Sequence, residues 1–511
     1  MPSSYQTLSR KSNQALGIGQ FSVDFVGGRF DPPAVAALAK LEQFHLDSLA
    51  CAVSAIACGT RAPNVLRAEA LRYPAGPELP RGATCFASQI GVAPEKAVLA
   101  NCAAVREWDA NGTNFGYHPG RDRAAGEFGH NDFYPVAIAA AQVAGGDGRR
   151  AALGMLLIDE LRGRLAEVFS LKTHKIDHVL HGAIASAAAY GAICGATPQQ
   201  IESALGLLVA HYVPFRAIRA GHQLSDSKGA SAAISAEAAV VCMQRAIDGL
   251  IGPADIFRNP QALFCLFQPP DLPQTSPFDL TLTASGEDFA VMDMHFKLGM
   301  YEHQSAGAIQ GLIDLLADCP QLLDSEHDVR KIRIAIYEPA YSIICDPAKR
   351  DPQTRQSADH SMVYIVATLL RKAFQLRVAD WKSLMLMPQD YDKASLNDSR
   401  TRQLMEKIEV VHGGADYDRR YPDGIPTTVE IDHTECGHVS SGLVMYPAGH
   451  ARNTTDDLTD LLDDKFQRLA ALGVTDPDAL RTRFSDLQSR SAEDIQTLYS
   501  FELLKGDCLN D

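Results

Sequence analysis

A few short stretches of an alanine-rich chain carry most of its chemistry. "WDANGTNFGY" (108–117) spaces Asp109, Asn111 and Thr113 two apart, and "GEFGHNDFYP" (126–135) follows with His130 and Asp132. A loop of Asx and Gly can be pure turn chemistry, but a turn needs one or two such groups, not Asp, Asn, Thr, His and Tyr together. An Asp or His of near-neutral pKa there could move a proton, with Thr113 orienting the reactant.

His174, His178 and His181 fall at i, i+4 and i+7 and share one face if the segment is helical throughout. Paired His at that spacing can bind zinc, but no acidic or cysteine partner is fixed by local spacing. The expectation is no metal, with one His at a substrate. "SDSKGASAA" (225–233) sets Lys228 where a helix opens and its free N–H groups favour an anion, with Arg216, Arg219 and His222 on the approach. "FKLGMYEHQSA" (296–306) brings Lys297 and His303. "ADHSMVYIVATLL" (358–370) brings His360 and Tyr364, four apart and expected on one helical face, after Arg350 and Arg355. Lys, Arg, His and Tyr gathered from separate segments suit a polycarboxylate.

The elements that must position these residues are mainly helical. At 511 residues, 46% hydrophobic and 21% charged, the chain has the length of two or three domains and the composition of a globular protein with a large core. Only 7% is aromatic and much of the apolar content is Ala, which favours closely packed helices. Helical patterns bounded by Pro, Gly or a capping residue run from 33 to 290. From 291 to 439 the texture changes. "VRKIRIAIYEP" and "EKIEVVH" alternate as strands, and 426–447 reads as a hairpin turning at Glu435-Cys436-Gly437. The expected architecture is mainly α: a large all-helical domain (1–290 and 440–511) with an inserted α+β lid (291–439) on a small antiparallel sheet. A cleft between the two is a favoured place for a small ligand.

The net charge of −15 argues against nucleic acid as a partner. No stretch reads as a membrane span. Eleven Cys without a CxxC pair suggest neither a disulfide framework, a zinc ribbon nor an iron–sulfur cluster. The N-terminus lacks a secretory apolar region, while residues 1–23 lack Asp and Glu and faintly resemble an organellar leader. The expected location is the cytoplasm, or the mitochondrial matrix in a eukaryote.

These stretches resemble the MmgE/PrpD family of 2-methylcitrate dehydratases and cis-aconitate decarboxylases. The resemblance rests on "DANGT…GH", "IDHVLHGAIASAAA", "SDSKGASAA", "FKLGMYEHQSA", "ADHSMVYIVATLL" and "YPAGHARN", in the family's order from about 45 to 470. It implies a helical domain with an α+β lid, a homodimer, no metal and no cofactor. It also implies catalytic roles for Asp109, Thr113, His130 and His178, and substrate contacts from Lys228, Lys297 and Tyr364. His303, Arg219 and His360 join the substrate-binding set as the remaining basic groups of the same segments. The spacer "GYHPGRDRAAGEF" between Thr113 and His130 departs from the family pattern and bears on substrate choice. The leading expectation is a metal-independent hydro-lyase that dehydrates 2-methylcitrate to 2-methylaconitate. Decarboxylation of cis-aconitate, or isomerisation or epimerisation of a related di- or tricarboxylate, is the alternative. A helical binding protein without catalysis is the third reading.

Overall fold

The computed structural model describes residues 4–76, 82–114, 116–118, 129–219, 223–504 and 506, with the backbone alone at 129 and 130. Most of the long spacer before His130, and His222, lie outside the described residues.

The body is built from helices α1 (Gln14–Val26), α2 (Val35–Ala57), α3 (Arg61–Ala70), α4 (Pro94–Arg106), α5 (Tyr134–Ala144), α6 (Gly148–Val168), α7 (Val179–Ile193), α8 (Pro198–His211) and α9 (Ser227–Ile247). Their ends follow local chemistry. Asp147 caps α6 by accepting from the Arg150 N–H, and Thr197 and Gln200 form a capping box at α8. Gly59, at φ +71°, follows α2 where a residue with a Cβ would be strained. The centre is α7, which packs on α1, α5, α6, α8 and α9. All of its residues are buried, so it has no polar face to present to solvent. Small residues let the neighbours close in, and a Cβ at Gly182 would lie 2.0 Å from the Phe133 ring. Among the described residues no single helix is long and apolar enough to cross a membrane.

The second part of the chain carries a four-stranded sheet of β1 (Val329–Ile336), β2 (Ile408–His412), β3 (Thr427–His433) and β4 (Gly437–Ser440), in the order β4-β3-β1-β2. Helices α10 (Ala306–Asp318) and α11 (Met362–Leu376) pack on it. After the sheet, α12 (Leu458–Ala470) returns to α2. Its buried Lys465 donates to Asp47 (2.5 Å) and to the main-chain oxygens of Ala110 (2.5 Å) and Lys297 (2.7 Å). One ammonium thereby ties three distant segments behind the Asp109 loop.

Two sequence expectations are corrected, and the N-terminal segment is seen packed on the body. The sheet is mixed: β3 and β4 form the expected antiparallel hairpin, but β1 and β2 are parallel. The 71 residues between them include α11, enough for the crossover a parallel pair requires. Tyr5–Leu8 pairs with Leu280–Thr283 and α1 packs on α7 and α8. Finally, His174, His178 and His181 do not share a helical face. His174 ends a 3₁₀ turn and Lys175 is left-handed at φ +61°, so α7 starts afresh after His178.

Candidate active site

The opening loop turns inward as soon as α4 ends. Trp108 is buried and its indole N–H donates to Ser54 Oγ at 2.9 Å, while the Arg355 guanidinium lies 4.8 Å over its ring. Gly112 is required by close approach, because a Cβ there would meet Phe44 at 2.4 Å. Held this way, the Asp109 carboxylate is buried among cations. Lys297 Nζ contacts Oδ1, Lys228 Nζ is 3.3 Å from Oδ2, and Arg106 Nη2 is 3.4 Å from Oδ2. Burial alone would push this carboxyl up. Arg106, Lys297, Lys228 and His360 instead hold it well below the usual carboxylate range. For Lys297 burial outweighs its one carboxylate partner, and its ammonium is pushed down.

A second carboxylate completes the cluster. Asp359 Oδ1 accepts from Lys228 Nζ at 2.8 Å and lies 2.7 Å from His360 Nδ1, whose Nε2 is 3.2 Å from Asp109 Oδ2. Burial and Lys228 push His360 down to about 3 despite both carboxylates, so its ring is neutral near pH 7. Opposite, Arg219 grips Asp177 through Nε and, at 3.3 Å, through Nη2. Asp177 Oδ1 lies 3.4 Å from Nδ1 of buried His178. Burial, then Arg219 and Arg216, hold His178 well below the usual imidazole range despite Asp177. Together Arg106, Asp109, His178, Arg216, Arg219, Glu302, Lys349 and His360 line one narrow cleft of about 40 Å³.

The sequence-chosen residues therefore separate. Asp109, Lys228, Lys297, His360, His178 and Arg219 come together. Lys228 stands in the first turn of α9, as expected, and its side chain points inward, 1% exposed, onto the two carboxylates. Thr113 and His130 face each other in register across a two-residue strand pair, so the long spacer still returns His130 beside Thr113. Thr113 also exchanges main-chain hydrogen bonds with His295 (2.9 and 2.7 Å).

Two expected substrate contacts lie elsewhere. His360 falls in the turn between the short helix Arg355–Ala358 and α11, not on one helix with Tyr364. The Tyr364 hydroxyl donates to the Asp390 carbonyl at 2.7 Å and is not part of the cleft wall. His303 stacks on His295 with ring centroids 5.2 Å apart, while the preceding Glu302 lines the cleft instead. Arg350 is exposed, and Arg355 is committed to Glu107.

Sequence reasoning missed Arg106, Glu302, Lys349 and Asp359. Two had an available signal: Asp359 adjoins His360, and Glu302 adjoins His303. A larger cavity of about 810 Å³ opens between Arg61, Asp226, Arg355 and Lys393, without the convergence of His, Lys and carboxylates. Volume alone is a poor guide here. Asp109, Asp359 and His360 place ligand atoms within 4.8 Å of one another, as a metal site would. Their oxygens already accept from Lys228, Lys297 and Arg106, and that surplus of cations suits an anion better than a further cation.

Two family models match this chain: the MmgE/PrpD N-terminal domain over residues 24–274 and the C-terminal domain over 302–488. The chain belongs to the MmgE/PrpD family. The cleft is shared by the two matched regions, with Asp109, His178 and Lys228 from the first and Glu302, Lys349 and His360 from the second. Among MmgE/PrpD relatives, the chain is similar to a "2-methylcitrate dehydratase" of Escherichia coli O157:H7, 24% identical over 441 residues (81% of this chain, 83% of the relative). The same name is carried by a protein of Salmonella typhimurium at 24% over 434 residues (81% and 83%). The "Cis-aconitate decarboxylase-like protein oryM" of Aspergillus oryzae matches at 22% over 339 residues, 64% of each chain.

Proposed function

We propose that this protein is a lyase that removes water from a 2-hydroxy tricarboxylate, with 2-methylcitrate as substrate and 2-methylaconitate as product, and that it needs no metal. The observation carrying this reading is the convergence of Arg106, Arg216, Arg219 and Lys349 on one narrow cleft, with Lys228 and Lys297 held on the Asp109 that lines it. Such a set can bind carboxylates and stabilise the dianion that develops when a proton leaves carbon beside a carboxylate. An incoming carboxylate competes with Asp109 and Asp359 for the lysines. The cleft must widen to admit a substrate of this size, since about 40 Å³ holds roughly one water.

Asp109, held ionised by its cations, is a weak base and serves best by fixing Lys228, Lys297 and Arg106 in place. The C–H proton falls to the imidazole of His130, opposite Thr113, with Thr113 and neutral His178 orienting the substrate. The lysines, with Arg219 and His360, hold its carboxylates. A homodimer in the cytoplasm, or in the mitochondrial matrix of a eukaryote, belongs to the same proposal, and light scattering of the purified protein reads the assembly.

The test is turnover by chelator-treated protein offered 2-methylcitrate, citrate and cis-aconitate separately, following the ultraviolet band of the conjugated acid and released CO₂. The expected result is a growing band with 2-methylcitrate and no CO₂. Release of CO₂ from cis-aconitate supports instead the decarboxylase reading favoured by the Aspergillus relative. Inactivity on all three by a folded protein overturns both. Activity lost on chelation and restored by a divalent ion removes the metal-free claim.

A further inference from the structure

Asp109, Asp177 and Asp359 are each held by a lysine or arginine, whereas Glu302 reaches the cleft without one. Glu302 is placed by its backbone. Its N–H donates to the Asp359 carbonyl at 2.7 Å, and its own carbonyl accepts from Ser305 N at 2.9 Å. Of its carboxylate oxygens, Oε2 accepts from Gln304 N at 2.9 Å. Among the described residues no Lys, Arg or His lies within ion-pair distance of it. It nevertheless shares the cleft wall with Asp109, His178, His360, Arg106, Arg216, Arg219 and Lys349.

We propose that Glu302 is the proton donor of this cleft, acting on the hydroxyl that leaves the substrate. The inference rests on the dehydratase reading above. Burial, and then the charge of Asp109, push its carboxyl up to about 7, against the pull of Lys297, the Gln304 N–H and Lys349. The Tyr337 hydroxyl, itself pushed up by burial and by Tyr421 and Glu302, is a further titratable neighbour. A carboxyl of that kind keeps its proton near neutrality and can release it where negative charge develops on oxygen.

The step balances without a co-reactant. The C–H proton passes to an imidazole, and the C–H electron pair becomes the new carbon–carbon double bond. The C–O bond breaks with its pair on oxygen, and the Glu302 proton converts the departing hydroxyl to water. The imidazolium and the Glu302 carboxylate then exchange a proton, through solvent, to restore both groups.

Glu302→Gln and Glu302→Asp test the assignment, with circular dichroism checking the fold of each. Expected for Glu302→Gln is a kcat reduced on the order of 100-fold with KM little changed. The fall in wild-type kcat as pH rises through about 7 is expected to be absent from that variant. Glu302→Asp should retain part of the rate. An unchanged kcat and an unchanged alkaline limb in Glu302→Gln would overturn the proposal while leaving the dehydratase reading intact.

A second readout needs no turnover. A carboxyl raised in the fold is stabilising when protonated, and that contribution is lost as pH climbs from its unfolded value through about 7. The melting temperature of Glu302→Gln relative to wild type should therefore rise across that window and level off above it. A flat difference from pH 4 to 9 would also overturn the proposal. If wild-type protein is inactive on every polycarboxylate but the melting-temperature trend appears, the dehydratase reading fails and the raised titration of Glu302 stands.

Discussion

Two clusters of buried charge, one on α6 and one around Asp109, differ in how they close. On α6, Arg162 Nη2 donates to Asp159 at 2.9 Å, and Arg164 donates to Glu160 at 2.9 Å and Glu167 at 2.5 Å. Arg164 also reaches Thr283 Oγ1 at 3.3 Å, and the oxygens of Glu160 accept the main-chain N–H of Thr283 and Ala290 at 2.6 and 2.7 Å. Three acids surround two arginines, and main-chain N–H groups and a threonine take up remaining hydrogen-bonding positions. Around Asp109, Arg106, Lys228 and Lys297 converge on one carboxylate, and among the described residues Glu302 beside them has no ion pair. A closed network of the first kind anchors helices. An open one of the second kind, beside a cleft, keeps hydrogen-bonding capacity for something that arrives.

Each half of that contrast can be broken. Asp109→Asn carries the largest expected effect, because it strands Lys297 in the interior and takes one of two carboxylate partners from both Lys228 and Arg106. A stability loss of about 3–5 kcal/mol by urea denaturation should accompany loss of turnover by on the order of 10²-fold or more. Full turnover in this variant would show that the open network is not the reacting centre. Arg164→Met strands Glu160 and Glu167 and should also cost about 3–5 kcal/mol. Its turnover per folded molecule should stay near wild type, and a selective fall in kcat would erase the distinction between the clusters.

Ligand binding comes next in size. Citrate at 100 times its Kd should stabilise wild-type protein by about 2.7 kcal/mol, read as a melting-temperature rise that Lys349→Ala and Arg219→Ala diminish. An equal rise in Lys349→Ala would place the carboxylates elsewhere. The smallest effect is expected from Tyr364→Phe, which removes one hydrogen bond to the Asp390 carbonyl and about 1 kcal/mol. Its kcat should be unchanged. A large fall would mean that Tyr364 turns into the cleft during the reaction.

The legible parts of this protein were those governed by local rules. Caps and glycine stops marked α2, α6 and α8, and alternation marked β1 and the β3–β4 hairpin. Residue type marked Asp109, Lys228, Lys297 and His360 as chemistry-bearing. What escaped was long-range or hidden by a neighbour. The parallel β1–β2 pairing joins strands 71 residues apart, and spacing cannot reveal it. Glu302 and Asp359 were overshadowed by the histidines beside them, although their carboxylates, not type alone, shape the cleft. Tyr364 and His303 had the right chemistry but point to other partners.

By itself the sequence determined which residues could do chemistry and that mostly helices would carry them, because helix periodicity, caps and side-chain type are properties of short segments. Only the tertiary structure decided which groups meet. It brought Lys297 and Lys228 onto Asp109 from 188 and 119 residues away, and it returned His130 to Thr113 across a two-residue strand pair. Among the described residues it also left Glu302 without the cation each neighbouring aspartate has. Burial and charge at a site are sums over everything packed around it, and no short stretch of sequence contains that sum.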